Sequence, residues 1–233
     1  MIERRRDYEK KKPYKNAHKI YIVCEGSLNE PNYFEFFRGL SSNLEIIPIP
    51  SKDGKTDPVK LMERAKSIFV ENGYCFELDY SQGDTVWFVI DTDTWKEEGK
   101  IDILRSFCIN INHSIRWSEI KTTQYSAWRV AQSNPCFEIW LYYHSYNTKP
   151  IEKDVSDCVS FKEYVNKAYN GGFDYEYDPI NLLKAIKNSE LNFEMQGGGV
   201  GVYSTEMHLL GNEILGFVKQ DLRRLQNKLQ KRR

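Results

Sequence analysis

Three acidic residues stand where a chain could do chemistry. Glu25 closes the apolar run of HKIYIVCEG (18–26), and Asp91 and Asp93 follow the apolar run of DTVWFVIDTDTW (84–95). An acid directly after a buried strand adds nothing to the core; it either solvates a loop or builds a site. In extended backbone, residues i and i+2 point to the same side about 7 Å apart. Two carboxylates so placed repel each other unless a cation sits between or beside them. Their hard oxygens suit Mg²⁺ or Mn²⁺, which also take phosphate oxygens as ligands. Asp-x-Asp alone is a common loop feature; its place at a strand end, with Glu25-Gly26 ending a second strand, gives it weight.

The elements that must position these acids can be read from the pattern. HKIYIVCEG (18–26) and LEIIPIP (44–50) read as strands, the second an edge or strand end because of Pro48. Residues 84–95 and TQYSAWRVAQSNP (123–135) read as the third and fourth strands. Between them, helices are expected over 30–40, over 57–73 with Asp57 as N-cap and Pro58 at N1, over 98–111, and over 136–146. This βα alternation implies an α/β fold, a parallel sheet flanked by helices and linked by right-handed crossovers. After about residue 148 only helices are expected, at 162–170, 178–190 and 204–229, with FEMQGGGVGVYS (193–204) as a flexible loop. The chain therefore divides into a basic tail (1–17), an α/β core (18–148) and a helical extension packed on that core (149–233). In open α/β sheets ligands gather beyond the carboxyl ends of the strands, which is where Glu25, Asp91 and Asp93 fall.

Composition narrows the classes. With 40% hydrophobic and 28% charged residues over 233 positions, the chain is suited to one good core. No apolar run approaches the roughly 18–20 residues of a membrane span, and the charged start MIERRRDYEKKKPYK has no apolar stretch of a secretory signal. The five cysteines (Cys24, Cys75, Cys108, Cys136, Cys158) include no CxxC pair, so reduced thiols in a cytoplasmic protein are expected, without a zinc site. The 33 basic and 33 acidic residues cancel, yet residues 1–20 carry eight Lys or Arg against three acids, and 219–233 carry seven against one. Basic ends around an acidic middle can grip a polyanion, or can simply be solvated tails.

Other polar residues carry weaker signals. Arg129, Lys52 and Lys55 are candidates to meet phosphates, and Asn32 and Asn134 to orient a carboxylate or phosphate, although Asn134-Pro135 also suits a turn. His113, His144 and His208 lack partner spacing and read as structural; Trp87, Trp128 and Trp140 read as core. Gly197-Gly198-Gly199 is not followed by Lys-Ser/Thr, so it is no phosphate-binding P-loop. No cofactor other than a metal is expected. A receiver-type domain would need a lysine at the end of the fourth strand, and none stands there.

The pairing of strand–Glu-Gly with strand–Asp-x-Asp resembles the Toprim fold of topoisomerases, primases and the overcoming-lysogenization-defect nucleases. IYIVCEGSLNEPNYFEFF, WFVIDTDTW, SNPCFEIWLYYH and YSTEMHLL together resemble the RloB family of bacterial proteins. The resemblance implies that Glu25 acts as general acid or base and that Asp91 and Asp93 bind Mg²⁺. Toprim sites often carry a third alternate acid, where this chain has Trp95; Glu138 in SNPCFEIW is the candidate to replace it. The chemistry so implied is metal-assisted phosphodiester hydrolysis. None of the 15 tyrosines has the context of a topoisomerase nucleophile, which favours hydrolysis over strand passage. The resemblance further implies antiphage, abortive-infection work on DNA or RNA with a separately encoded ATPase. The long C-terminal helix leaves a homodimer open. The alternative is an inactive Toprim-like module that binds nucleic acid or a partner protein.

Overall fold

The computed structural model describes residues 10–51, 57–71, 76–92, 98–115 and 126–231. Four parallel strands form the sheet: β1 (His18–Cys24), β2 (Leu44–Ile49), β3 (Thr85–Asp91) and β4 (Trp128–Asn134). Helices α1 (Asn29–Glu35), α2 (Pro58–Lys66) and α3 (Lys100–Ser114) fall between them, and α4 (Glu138–Tyr142) follows β4. A π-helical turn, Ser67–Glu71, prolongs α2. Beyond lie α5 (Glu152–Ser156), α6 (Phe161–Ala168), α7 (Leu182–Leu191) and the long α8 (Met207–Gln230). This is the expected α/β arrangement with a C-terminal helical extension.

Strand order is β2-β1-β3-β4, closed at the far edge by a short antiparallel strand, β7 (Ser204–Thr205). β3 is buried along its whole length, which explains its unbroken apolar run. Side chains alternate between two cores. Ile20, Ile22, Trp87, Val89 and Ala131 pack against α1, α4, α7 and α8. Tyr21, Val23, Phe88, Ile90 and Val130 pack against α2 and α3. Asp57 caps α2 as expected, accepting from the Val59 and Lys60 N–H groups at 3.0 and 3.1 Å.

The expectation that no strand follows residue 148 is corrected. β5 (Met195–Gln196) and β6 (Gly199–Val200) form a hairpin, and β7 joins the main sheet beside Ser133 and Asn134. Gly197 and Gly198 both take positive φ, 56° and 76°. Two such residues in a row suit the tight hairpin turn whose twist matches its strands, so the glycine run is a turn signal rather than a loop signal. The Gly-rich stretch therefore delivers the chain to β7 and on into α8.

Candidate metal centre

The carboxyl ends of β1 and β3 lie side by side, in register from Ile20–Thr85 to Cys24–Val89. This register brings Glu25, one residue past β1, to Asp91: the Glu25 Oε2 accepts the Asp91 N–H at 2.8 Å. Asp91 Oδ1 accepts the Phe137 N–H at 2.8 Å, tying β3 to the turn that opens α4. One residue on, Glu138 enters the same space, and its Oε1 accepts from Asn29 Nδ2 at 3.0 Å. Glu30 on α1 folds back so that its Oε1 accepts the Gly26 N–H at 3.1 Å. A Cβ at position 26 would lie 2.1 Å from Glu30 Oε2, so any other residue there would push that carboxylate out of its place.

These groups line a cleft of about 340 Å³. Glu25, Glu30, Asp91 and Glu138 are all at least nine-tenths buried. Burial pushes the Asp91 carboxyl well above the usual carboxylate range, and the charges of Glu25, Glu30 and Glu138 push it further. Burial likewise raises Glu30, with Glu138 adding to it against the backbone N–H bonds that lower it. A cation from the rim answers them. Lys162 Nζ lies 3.8 Å from Glu138 Oε1 while more than half of its side chain stays exposed. α6 delivers it: Ser160 caps the helix, and Phe161 and Val165 pack on Ile139 and Tyr142 of α4. Glu138 Oε2 is buried and has no hydrogen-bond partner among the described residues. A buried, unpaired carboxylate oxygen is costly and points to a missing partner.

The other sequence candidates fare differently. Asp93, Trp95, Lys52 and Lys55 lie outside the described residues. Arg129 is not brought to the carboxylates. It sits at the opposite end of the sheet, opposite Trp87 in register, with its guanidinium 5.2 Å over that ring and 3.8 Å from Glu213. Asn134 spends its amide on the Val200 carbonyl at 2.8 Å, anchoring the hairpin to β4. Asn32 and His113 are exposed. His144 is buried against Tyr33 and the Trp140 carbonyl, and burial drives its pKa down to about 3. It is a neutral core histidine. His208 Nδ1 lies 2.8 Å from the Thr205 carbonyl.

Residues 20–214 match the model of the family described as RloB-like protein. The chain belongs to that family. No curated protein and no solved structure matches it. The match runs from β1 into α8, so every acid of the cleft in this RloB-like protein lies within it.

The cleft fits a hard divalent cation in donor type. It offers carboxylate oxygens, with Asp91 raised by burial and by the acids around it, and one buried oxygen unpaired among the described residues. Among the described residues, no three His, Cys, Asp or Glu side chains are held closely enough to grip an ion together. Sequence reasoning missed Glu30, Asn29 and Lys162. Glu30 was legible as a second acid five residues after Glu25, in Glu-Gly-Ser-Leu-Asn-Glu. Lys162 carries no local signal, because it arrives from the helical extension. Among the described residues, no helix of the RloB-like protein is long and apolar enough to cross a membrane.

Proposed function

We propose that this chain is a metal-dependent nuclease, hydrolysing phosphodiester bonds at the Glu25–Asp91–Glu138 cleft. The carrying observation is the buried, unpartnered Glu138 Oε2 beside an Asp91 carboxyl raised by burial and by three neighbouring acids. Mg²⁺ or Mn²⁺ would be held by Asp91, Asp93, Glu25 and Glu138. When bound, such a cation polarises a phosphoryl oxygen and lowers the pKa of water. The chain's own residues supply the rest. The Phe137 N–H fixes Asp91, and the Asp91 N–H fixes Glu25, so both carboxylates are oriented before anything binds. Glu25 is the proton carrier at the strand end. Asn29 orients Glu138. Lys162, on a flexible stem at the mouth, is placed to meet negative charge on a phosphate.

The setting belongs to the same reading: a cytoplasmic bacterial protein of antiphage, abortive-infection defence, acting on DNA or RNA with a separately encoded ATPase. The test incubates purified chain, with and without that ATPase, with DNA, RNA and tRNA in Mg²⁺ or Mn²⁺. Cleavage by wild type and none by Asp91→Ala/Asp93→Ala is expected. Equal cleavage by both removes the site assignment.

Two observations favour a second reading, an inactive Toprim-like module. Lys162 already gives the acids a counter-charge, and Asp91 Oδ1 already serves the Phe137 N–H. Tight partner or nucleic-acid binding with no metal uptake at millimolar concentration would select it.

A further inference from the structure

α8 runs against the strands. Its start adjoins the carboxyl end of β4, where the Glu206 N–H reaches the Gln132 carbonyl at 2.8 Å. Farther along it passes the amino end of β1, where Glu213 Oε1 meets His18 Nε2 at 3.0 Å, and in its second half Asp221 meets Lys11 at 2.8 Å. At about 1.5 Å per residue, the 24 residues span roughly 36 Å, well past the sheet. The acid cleft lies near one end of this helix and the Lys11–Asp221 pair about 20 Å farther along it.

Residues 10–17 run alongside that far half. The Lys11 N–H donates to the Gly39 carbonyl and the Tyr14 N–H to the Ser42 carbonyl, both at 2.8 Å. Two segments some 200 positions apart in sequence thus meet, and both are basic. Lys12 and Lys15 from the strap, Lys219, Arg223 and Lys228 from α8, and Lys231 just past its end are exposed. Among the described residues, none of these six forms an ion pair, whereas the one nearby acid of the helix, Asp221, is shared by Lys11 and Arg224. Between strap and helix lies a polar cleft of about 550 Å³, with Ser41, Ser42, Asn43 and Gln220 as neutral hydrogen-bonding groups and Tyr14 at its edge, 62% exposed.

We infer that this surface, formed by the basic strap and the far half of α8, docks the phosphate backbone of a nucleic acid. Lys219 lines the cleft beside those hydroxyl and amide groups, and the other exposed cations flank it on the strap and the helix; such groups contact phosphates, and an exposed tyrosine adds a face on which a base can stack. An acidic protein surface would meet the same cations, and the poly-glutamate arm of the experiment below separates it from a nucleic acid. The placement transfers the nucleic-acid contacts away from Arg129 and Asn134, whose side chains the fold consumes. It also sets a length. A strand reaching from this surface to the acid cleft must cover about 20–35 Å, on the order of 6–10 nucleotide steps at ~3.4 Å each. The substrate is therefore a polynucleotide rather than a dinucleotide or mononucleotide. This inference deepens the nuclease reading and rests on it for why the strand is held, but the docking itself needs no metal.

The experiment measures fluorescence anisotropy of labelled single-stranded and duplex DNA and RNA, 4 to 24 nucleotides long, with the full chain in EDTA over a range of salt. Two variants are compared, Lys12→Glu/Lys15→Glu and Lys219→Glu/Arg223→Glu/Lys228→Glu, each checked for an unchanged melting temperature. Binding that strengthens more than ten-fold between 4 and 12 nucleotides is expected. Each variant should weaken binding about ten-fold or more and flatten the salt slope, by roughly one for each phosphate it no longer neutralises. Absence of binding, a folded variant that binds as tightly as wild type, or equal displacement by poly-glutamate would overturn the inference. Binding with these properties but no cleavage in Mg²⁺ would sink the nuclease reading and leave the docking surface standing.

Discussion

At the scale of single residues, the cleft is a set of like charges held together by the fold rather than by each other. Glu138 bears the clearest mark of this, with one oxygen on Asn29 and one on nothing among the described residues. Lys162 relieves the crowding only from the rim. Replacing it with glutamine should tighten Mg²⁺ or Mn²⁺ binding, by roughly two- to five-fold given the modest worth of a solvent-exposed pair, and calorimetry reads this directly. Weaker binding in Lys162→Gln would mean that the lysine supports the ion rather than competing with it. Glu25 and Asp91 were legible in the sequence, since each ends an apolar strand run; Asp93 lies outside the described residues. Lys162 and Asn29 were not. Their roles depend on how α6 and α1 lie over α4, which no local pattern encodes.

At the scale of elements, the question is what seats α8 on the sheet. Glu213 does so from the first half of the helix, accepting from His18 Nε2, Thr85 Oγ1 at 2.6 Å and Trp87 Nε1 at 3.0 Å. Burial alone would raise its carboxyl, but hydrogen bonds from His18 and Thr85 and the charges of His18 and Arg129 bring it below its ordinary range. A depressed carboxyl stabilises the fold above its unfolded value, near 4.3, and that contribution fades as pH falls through the folded value. Glu213→Gln should therefore cost roughly 2 kcal/mol or more at pH 7 by urea unfolding. The gap between variant and wild type should narrow below about pH 4.5; a gap constant from pH 7 to pH 3 would contradict the assignment. The same seat has a tight fit at Gly211, where a Cβ would come within 3.0 Å of Ile186 and 3.1 Å of Trp140. Gly211→Leu should lower stability by about 1–3 kcal/mol through overpacking, read as a lower melting temperature. The parallel strands and their helices were legible because burial on both faces leaves unbroken apolar runs, as in Val86–Ile90. β7 was not, because two residues carry no periodicity and its pairing is set by the Gly197-Gly198 turn upstream.

At the scale of the whole molecule, the two faces of the sheet and the two ends of α8 divide the work. Both cores share the central strands, so they should unfold together, and the thiols report on this. Cys24, Cys108 and Cys136 are buried, one or more in each part of the core, while Cys158 is partly exposed. Maleimide should leave those three unmodified in the native chain at neutral pH and reach them at one common urea concentration. Separate concentrations for Cys24 and Cys108 would show two independently melting layers. The acid cleft lies at the carboxyl ends of the strands, and the exposed cations of the strap and of the far half of α8 lie away from it, an asymmetry that the zero net charge conceals. The charge counts pointed to basic ends, but only the strap's path along α8 makes them one surface. The central claim is that the acid cleft holds a divalent cation. Titration of the metal-free chain with Mn²⁺, followed by calorimetry, tests it most directly in wild type, Glu138→Gln and Asp91→Asn, the last of which keeps an acceptor for the Phe137 N–H. The expected result is binding at millimolar or tighter concentration in wild type and a loss of ten-fold or more in each variant with melting temperature preserved. Wild type that takes up no Mn²⁺, or variants that bind it unchanged, would contradict the account.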